Sequence, residues 1–339
     1  KTKSIHAAEF FHGTIELLEE GMSLILFYGG NLLFHFAFMD AAVGAVGIAF
    51  CHTVFNVFTT VILLPFSRQL EKLARRVVRS ESAGERFAFL DPLLLRTPGV
   101  AINESVAMTN RMGKLAHENL LLSLEQLTAW SEERESQILQ NEDKLDIYED
   151  HISNYLVEVS QHGVSMDDIR TVSRLLHAVG DFERIGDHAL NIQDSARELY
   201  EKDLAFSGDA EEELRVLTGA LTDILDTAFH CFQEDDPAQA GEVEPLEETI
   251  DRLIEAIRSR HIQRLQSGRC TIQLGFVLND LLTNFERVSD HCSNIAVAVI
   301  QERDGGLDSH TYLHTVKAGS SFDEDLRRDL RKYRLPEES

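Results

Sequence analysis

The chain has 339 residues, 43% of them hydrophobic, and its 57 Asp and Glu against 32 Lys and Arg give a formal net charge of −25. An acid excess of that size argues against a nucleic-acid-binding surface, which needs a basic stripe, and favours cationic partners, metal ions among them. Six prolines, and four cysteines (Cys51, Cys231, Cys270, Cys292) standing far apart without a Cys-x-x-Cys pair, point to a mostly helical protein with free thiols.

The chain starts at Lys1 rather than at a methionine and reads as a fragment of something longer. Residues 21–38 and 41–66 contain no Asp, Glu, Lys or Arg. The second run is 26 residues long, above the roughly 20 that cross a bilayer core. A transmembrane-like helical hairpin turning near Asp40 is expected, with His52 and Asn56 one turn apart inside the second span as costly polar groups that need partners. Arg68, Lys72, Arg75, Arg76 and Arg79 follow it, which places residues from about 67 onward on the cytoplasmic side of a cell (inner) membrane. Residues 1–79 are therefore read as membrane-like helices with a basic linker.

From about Gly99 the apolar spacing is helical for two hundred residues. The predicted helices run from about 99 to 139, 141 to 162, 165 to 203, 210 to 234, 245 to 266 and 271 to 303. Ser165, followed by Asp167 and Asp168, is the clearest start signal. Short loops make these two sets of three antiparallel helices, over 80–207 and 208–303. A tail over 304–339 carries a short amphipathic helix near 321–333.

The two sets are copies. Asp181-Phe-Glu-Arg-Ile-Gly-Asp-His-Ala-Leu-Asn-Ile192 recurs as Asn284-Phe-Glu-Arg-Val-Ser-Asp-His-Cys-Ser-Asn-Ile295, identical at seven of twelve positions. Glu142-Asp-Lys-Leu-Asp146 likewise matches Glu247-Glu-Thr-Ile-Asp251 at an offset of 105, against 103 for the longer motif. The internal repeat organises the chain.

Four helices, two in each copy, thus carry acids four apart: Glu142/Asp146, Glu183/Asp187, Glu247/Asp251 and Glu286/Asp290. Such pairs share one helix face, and two adjacent helices so equipped can converge four oxygen donors. That donor set suits Mg, Ca, Mn or oxidised Fe, with Zn also accommodated. His188 and His291, each beside an Asp, are candidates to stand behind such ligands and orient them. Arg184 and Arg287 also permit a surface salt-bridge lattice; four pairs at repeat-related positions favour metal. No nucleophile assembles, and no phosphate-loop, G-x-S-x-G or HExxH pattern occurs, so an enzyme is not expected.

The repeated FERIGDHALNI and FERVSDHCSNI, each preceded by an acid-xxx-Asp helix, resemble the paired three-helix repeats of PhoU, a phosphate-signalling regulator family. GIAFCHTVFNVFTTVILLPFSRQLEKL with FLDPLLLRTPGVAI resembles the end of bacterial sodium-dependent phosphate cotransporters that carry a PhoU-like domain. The resemblance implies an all-α chain: a transmembrane-like hairpin, then a PhoU-like tandem of two three-helix bundles that binds metal (Fe, Zn, Mn or Mg) through the acid pairs. It further implies sodium and phosphate as the full-length protein's cargo, with the transporter's binding residues in upstream spans absent from this chain, no QSSS signature occurring here. It leaves a homodimer open. The alternative is a free-standing PhoU-like phosphate-signalling adaptor with a hydrophobic oligomerisation arm. A third class, a carboxylate-bridged metalloenzyme, would require turnover.

Overall fold

The computed structural model describes Leu90, residues 92–304 and residues 320–337. All of these belong to one compact unit spanning Ala88–Ser339. The hairpin expected over 21–66, with His52 and Asn56, lies outside the described residues. Among the described residues no helix is long and apolar enough to cross a membrane.

A 3-10 turn, Pro92–Arg96, leads into α1 (Pro98–Gln126), whose first position is the proline that a helix start tolerates because its missing N–H has no partner to lose. α2 covers Glu132–Ser160 and α3 Met166–Glu201. The second set is α4 (Gly208–Glu234), a single turn Pro237–Ala240, α5 (Val243–Gln266) and α6 (Ile272–Asp304). No strand occurs among the described residues.

Ser165 caps α3 as its sequence suggests: its Oγ accepts from the Asp168 amide at 3.1 Å while Asp168 accepts from the Ser165 amide at 3.1 Å. The α2–α3 and α5–α6 connections turn through Gly163 and Gly268, both at φ +71°, a backbone region costly for a side-chain-bearing residue. The two glycines are 105 apart, the repeat offset.

One boundary differs from the sequence reading. The helix expected to continue to about 139 stops at Gln126, and α2 begins at Glu132. Ser131 caps the new helix by accepting from the Arg134 amide at 3.3 Å, with Glu132, Glu133 and Glu135 in its first turn. Gln126 closes the break, accepting from the Ser131 amide at 2.8 Å and donating to its carbonyl at 3.0 Å. Trp130, whose spacing looked helical, instead stacks on Tyr200 with ring centroids 5.2 Å apart.

α1, α2 and α3 pack on one another, as do α4, α5 and α6. The two bundles meet chiefly where α3 lies against α6. The repeat-related pairs Phe182/Phe285 and Ile185/Val288 are all buried and anchor this centre. α7 (Ser320–Lys332) packs on α5, burying Phe322 and Leu326, with Tyr333 and Leu335 just beyond it. Tyr333 and Lys332 both bond to Asp223 on α4, and Arg260 donates to the Pro336 carbonyl at 2.8 Å.

Candidate functional site: a carboxylate seam beside a clasp between the repeats

In the first repeat the acids of α2 and α3 act on one another through their charges. Burial, then Asp187, push the Glu183 carboxyl above the usual range. Arg184 opposes this, while Asp146 and Glu149 on α2 add to it. The negative charge felt at Glu183 therefore comes from two helices, Asp146 and Glu149 on α2 and Asp187 on α3. Glu142, one turn earlier on α2, is 3% exposed. Arg184 lies 3.4 Å from Glu183 and 3.7 Å from Asp187, so part of the salt-bridge lattice is present too.

The second repeat is laid out alike on α6. Glu286 and Asp290 are half-buried, and burial first of all raises the Asp290 carboxyl, with Arg287 opposing and Glu286 reinforcing. Arg287 Nη1 bonds to Asp290 at 3.1 Å. On α5, Glu247 is half-buried and Asp251 exposed. Here Arg258 reaches from α5 to within 3.5 Å of Glu286.

Among the described residues no three His, Cys, Asp or Glu side chains stand gathered around one point in a geometry that holds a metal ion. The chemistry of the first cluster nevertheless fits a hard cation. Its donors are all carboxylate oxygens, of which Glu149, Glu183 and Asp187 are partly withdrawn from water and Asp146 is exposed, and Arg184 opposes the negative charge at Glu183.

His188 and His291 occupy a different place from the one their sequence position suggests. Their rings face each other across the α3–α6 contact with centroids 5.6 Å apart. His188 Nδ1 donates to Asn284 Oδ1 at 2.9 Å, and His291 Nδ1 donates to Asp181 Oδ1 at 2.9 Å. Asn191 and Asn294 donate to the same two oxygens at 3.2 and 3.3 Å. Residue 181 thus meets 291 and residue 188 meets 284, so α3 and α6 run antiparallel and each copy of the motif grips the other's first residue. Burial lowers the pKa of His188, with the Asn284 bond opposing and His291 reinforcing. The two histidines join the repeats.

Glu149, His177, Asp181, Glu183, His291 and Asn294 line an open cleft of about 760 Å³ between α2, α3 and α6. It places the clasp and the first carboxylate cluster on one surface. Sequence reasoning missed Glu149, Arg258 and the clasp acceptors Asp181 and Asn284. Glu149 was findable, because it stands three residues after Asp146 and seven after Glu142, on the same helix face. The clasp was not, because its partners are 96 and 110 residues apart.

Cys231 and Cys292 are buried free thiols and Cys270 is partly exposed. Burial above all pushes the Cys231 thiol up to about 12 and raises Cys292 likewise, which makes both inert packing groups.

A family model described as the PhoU domain matches residues 109–196 and again 214–299, one match on each repeat. The chain is 26% identical over 212 residues to the phosphate-specific transport system accessory protein PhoU homolog 1 of Thermotoga maritima, covering 62% of this chain and 90% of that one. It is 21% identical over 265 residues to the putative inorganic phosphate export protein YjbB of Escherichia coli K12. That match takes in 76% of this chain but only 48% of the relative, so the chain spans about half that relative's length. The crystal structure of PhoU from Pseudomonas aeruginosa superposes with a TM-score of 0.57 at 23% identity, covering 61% of this chain and 99% of that one. PhoU from Streptococcus pneumoniae gives 0.56 at 20% identity, covering 62% and 99%.

Proposed function

The chain belongs to the PhoU domain family, and on that premise we propose that it is a non-enzymatic regulator of phosphate transport whose carboxylate seam binds cations. The observation that carries this is the negative charge that Asp146, Glu149 and Asp187 bring to bear on the half-buried Glu183, at the repeat-related motif of a PhoU-type bundle. The sign of the stacked charge asks for a cation, such as Fe, Zn, Mn or Mg, and the relatives' names supply the phosphate context. The reading that fits best is an adaptor that acts on a phosphate-transport partner, with the apolar stretch over 21–66 as its oligomerisation or attachment arm.

A second reading is favoured by one observation. The match to the Escherichia coli export protein runs over 265 residues, longer than the stretch from 109 to 299 that holds both PhoU-domain matches. In that reading the chain is the C-terminal part of a phosphate-moving, sodium-coupled membrane protein, and residues from about 67 onward face the cytoplasm. Fractionation separates the two. The adaptor reading expects the native protein to be released from membranes by salt or high pH, whereas extraction only by detergent would replace it with the transporter reading.

Regulation itself is tested by phosphate accumulation in cells lacking the protein. Wild type should restore the normal response to external phosphate, and Glu183→Ala/Asp187→Ala should fail to do so at equal abundance. Full restoration by the double variant would remove the carboxylate seam from the regulatory account.

A further inference from the structure

The turns that join α2 to α3 and α5 to α6 carry exposed apolar side chains at equivalent positions of the two repeats. With Glu142 aligned on Glu247, Val157 falls on Ile262, and with Phe182 aligned on Phe285, Ile169 falls on Ile272. Val157 and Ile262 are each 50% exposed, and Ile169 and Ile272 are 44% and 75% exposed. Met166 joins the first tip and Phe276 the second, each 69% exposed. One exposed apolar side chain needs no explanation, but a group of them at a helix-hairpin tip does.

Ile262, Ile272 and Phe276 lie on one side of the α5–α6 hairpin. His261 on α5 meets Gly275 on α6, where a Cβ would fall 3.0 Å from His261 Nε2. Ile262 and Phe276 are the next residues on two antiparallel helices, and a step of about 100° around opposed axes turns both to the same side. Ile272 stands four residues before Phe276, on the same helix face.

Charge separates the two tips. The first holds Glu158, Asp167 and Asp168 beside its apolar group. Around the second, residues 256–279 contain no Asp or Glu, in a chain with 57 of them, yet they contain Arg258, Arg260, Arg264 and Arg269. Glu213, reaching in from α4, is buried and bound by Arg260 and Arg264 at 3.1 and 2.7 Å. Glu286 takes Arg258 at 3.5 Å. Arg269 is exposed, and its Nε donates to a neutral partner, Ser267 Oγ, at 3.2 Å. Gln263, Gln266, Thr271 and Gln273, exposed on the same helix ends, are uncharged.

We infer that the α5–α6 tip is a membrane-docking surface, at which Ile262, Ile272 and Phe276 enter the boundary between headgroups and acyl chains and Arg269 meets anionic lipid phosphates. Apolar side chains edged by arginine fit that boundary, which is anionic outside and hydrocarbon within. The chain's net charge of −25 opposes such an approach, but at physiological salt it is screened beyond about 8 Å, so the acid-free tip is the part suited to contact. The first tip has a similar apolar group and is held off an anionic surface by its own acids. The inference is independent of cation binding at the seam, and it fixes which end of the bundle faces a bilayer.

The test reads the tip locally in the whole chain, so attachment through residues 21–66 does not imitate it. Trp130 is the chain's one tryptophan. In a Trp130→Phe background, a single indole is placed by Phe276→Trp, by Ile272→Trp or, as the control, by Ile169→Trp. The probes are vesicles of phosphatidylcholine with and without phosphatidylglycerol, their acyl chains brominated so that they quench an inserted indole. Phe276→Trp and Ile272→Trp should be quenched and blue-shifted on the anionic vesicles and severalfold less on phosphatidylcholine alone. Adding Arg269→Glu should lower the quenching to the phosphatidylcholine level, and Ile169→Trp should stay unquenched on both. Circular dichroism checks the helical content of every variant. No quenching at positions 272 and 276, equal quenching at 169, or equal quenching with and without phosphatidylglycerol overturns the inference. A blue shift that needs no vesicles and grows with protein concentration assigns the tip to a second copy of the chain, and overturns it too.

Discussion

Asp181 Oδ1 accepts a hydrogen bond from His291 Nδ1 at 2.9 Å, across the contact between the two repeats. The matching bond runs the other way, from His188 Nδ1 to Asn284 Oδ1, so one motif supplies both the gripping and the gripped residues. The motif holds an acceptor at its first position in each copy, Asp in one and Asn in the other, and that is all the clasp requires. Its repetition serves the joint between the bundles as much as the seam.

Removing a histidine strips a half-buried acceptor of the shorter of its two hydrogen bonds and leaves only the Asn191 or Asn294 donor. His188→Ala should destabilise the bundle by about 1–2 kcal/mol, and His291→Ala by about 2–3 kcal/mol because its partner is a carboxylate. Scanning calorimetry should show the larger fall in melting temperature for His291→Ala. Asp181→Asn, which restores the chemistry of the second copy, should cost less than either. A melting temperature unchanged in His291→Ala would remove the clasp from the stability account.

Gly113 on α1 faces the Phe182 ring of α3. A Cβ there would fall 2.7, 2.9 and 3.0 Å from three atoms of the Phe182 ring, which is itself only 2% exposed. The helix-propensity gain of Gly→Ala, about 1 kcal/mol, is outweighed by overpacking of about 1–3 kcal/mol against a rigid ring. Gly113→Ala should therefore be net destabilising in urea denaturation, and Gly113→Ala/Phe182→Leu should recover part of the loss. Stabilisation by the single substitution would contradict the packing described.

The seam also sets a pH dependence. Burial, then Asp187, hold the Glu183 carboxyl above its ordinary value of 4.5, and burial does the same for Asp290. A carboxyl that binds its proton more tightly folded than unfolded stabilises the fold most below its unfolded value. That contribution is lost as the pH rises through the folded value. In the presence of a chelator these two groups should therefore make the melting temperature fall as pH rises above the ordinary carboxylate range. Glu183→Gln should flatten the slope and raise the neutral-pH melting temperature, and added Mn(II) should do the same in wild type. A Glu183→Gln profile identical to wild type would contradict the electrostatic account.

Much of this was legible before the structure. Ser165 with Asp168, the glycines that end α2 and α5, and the doubled motif specify a repeated all-helical bundle through local chemistry alone. The break after Gln126 was missed because Leu127 and Trp130 continue the apolar spacing of α1, and Ser131-Glu132-Glu133 was not read as a start signal. The acid pairs were found because a four-residue spacing fixes a helix face. Arg258 was not, because its role depends on which helix it faces. The histidines were placed near the acids by sequence adjacency, yet on a helix neighbouring residues point about 100° apart. Asp187 therefore turns to the seam while His188 turns to the other repeat.

At the C-terminal end, burial and then the bond to Asp223 push the Tyr333 phenol up to about 12. Lys332 bonds to the same carboxylate. Asp223→Ala should lower the Tyr333 titration midpoint in an ultraviolet pH titration by the part owed to the Asp223 bond, with burial still holding it above the ordinary phenol value. It should also speed cleavage at Arg327 and Arg331 by trypsin, because α7 loses its tie to α4. Unchanged cleavage would mean that the apolar contacts of Phe322 and Leu326 hold α7 by themselves.

The most direct test of the central claim, that this bundle's carboxylate seam is a cation site, is elemental analysis of the purified chain and of Glu183→Ala/Asp187→Ala prepared identically. The account predicts a transition metal or Mg in wild type and most of it gone from the double variant. Equal metal content in the two would contradict it.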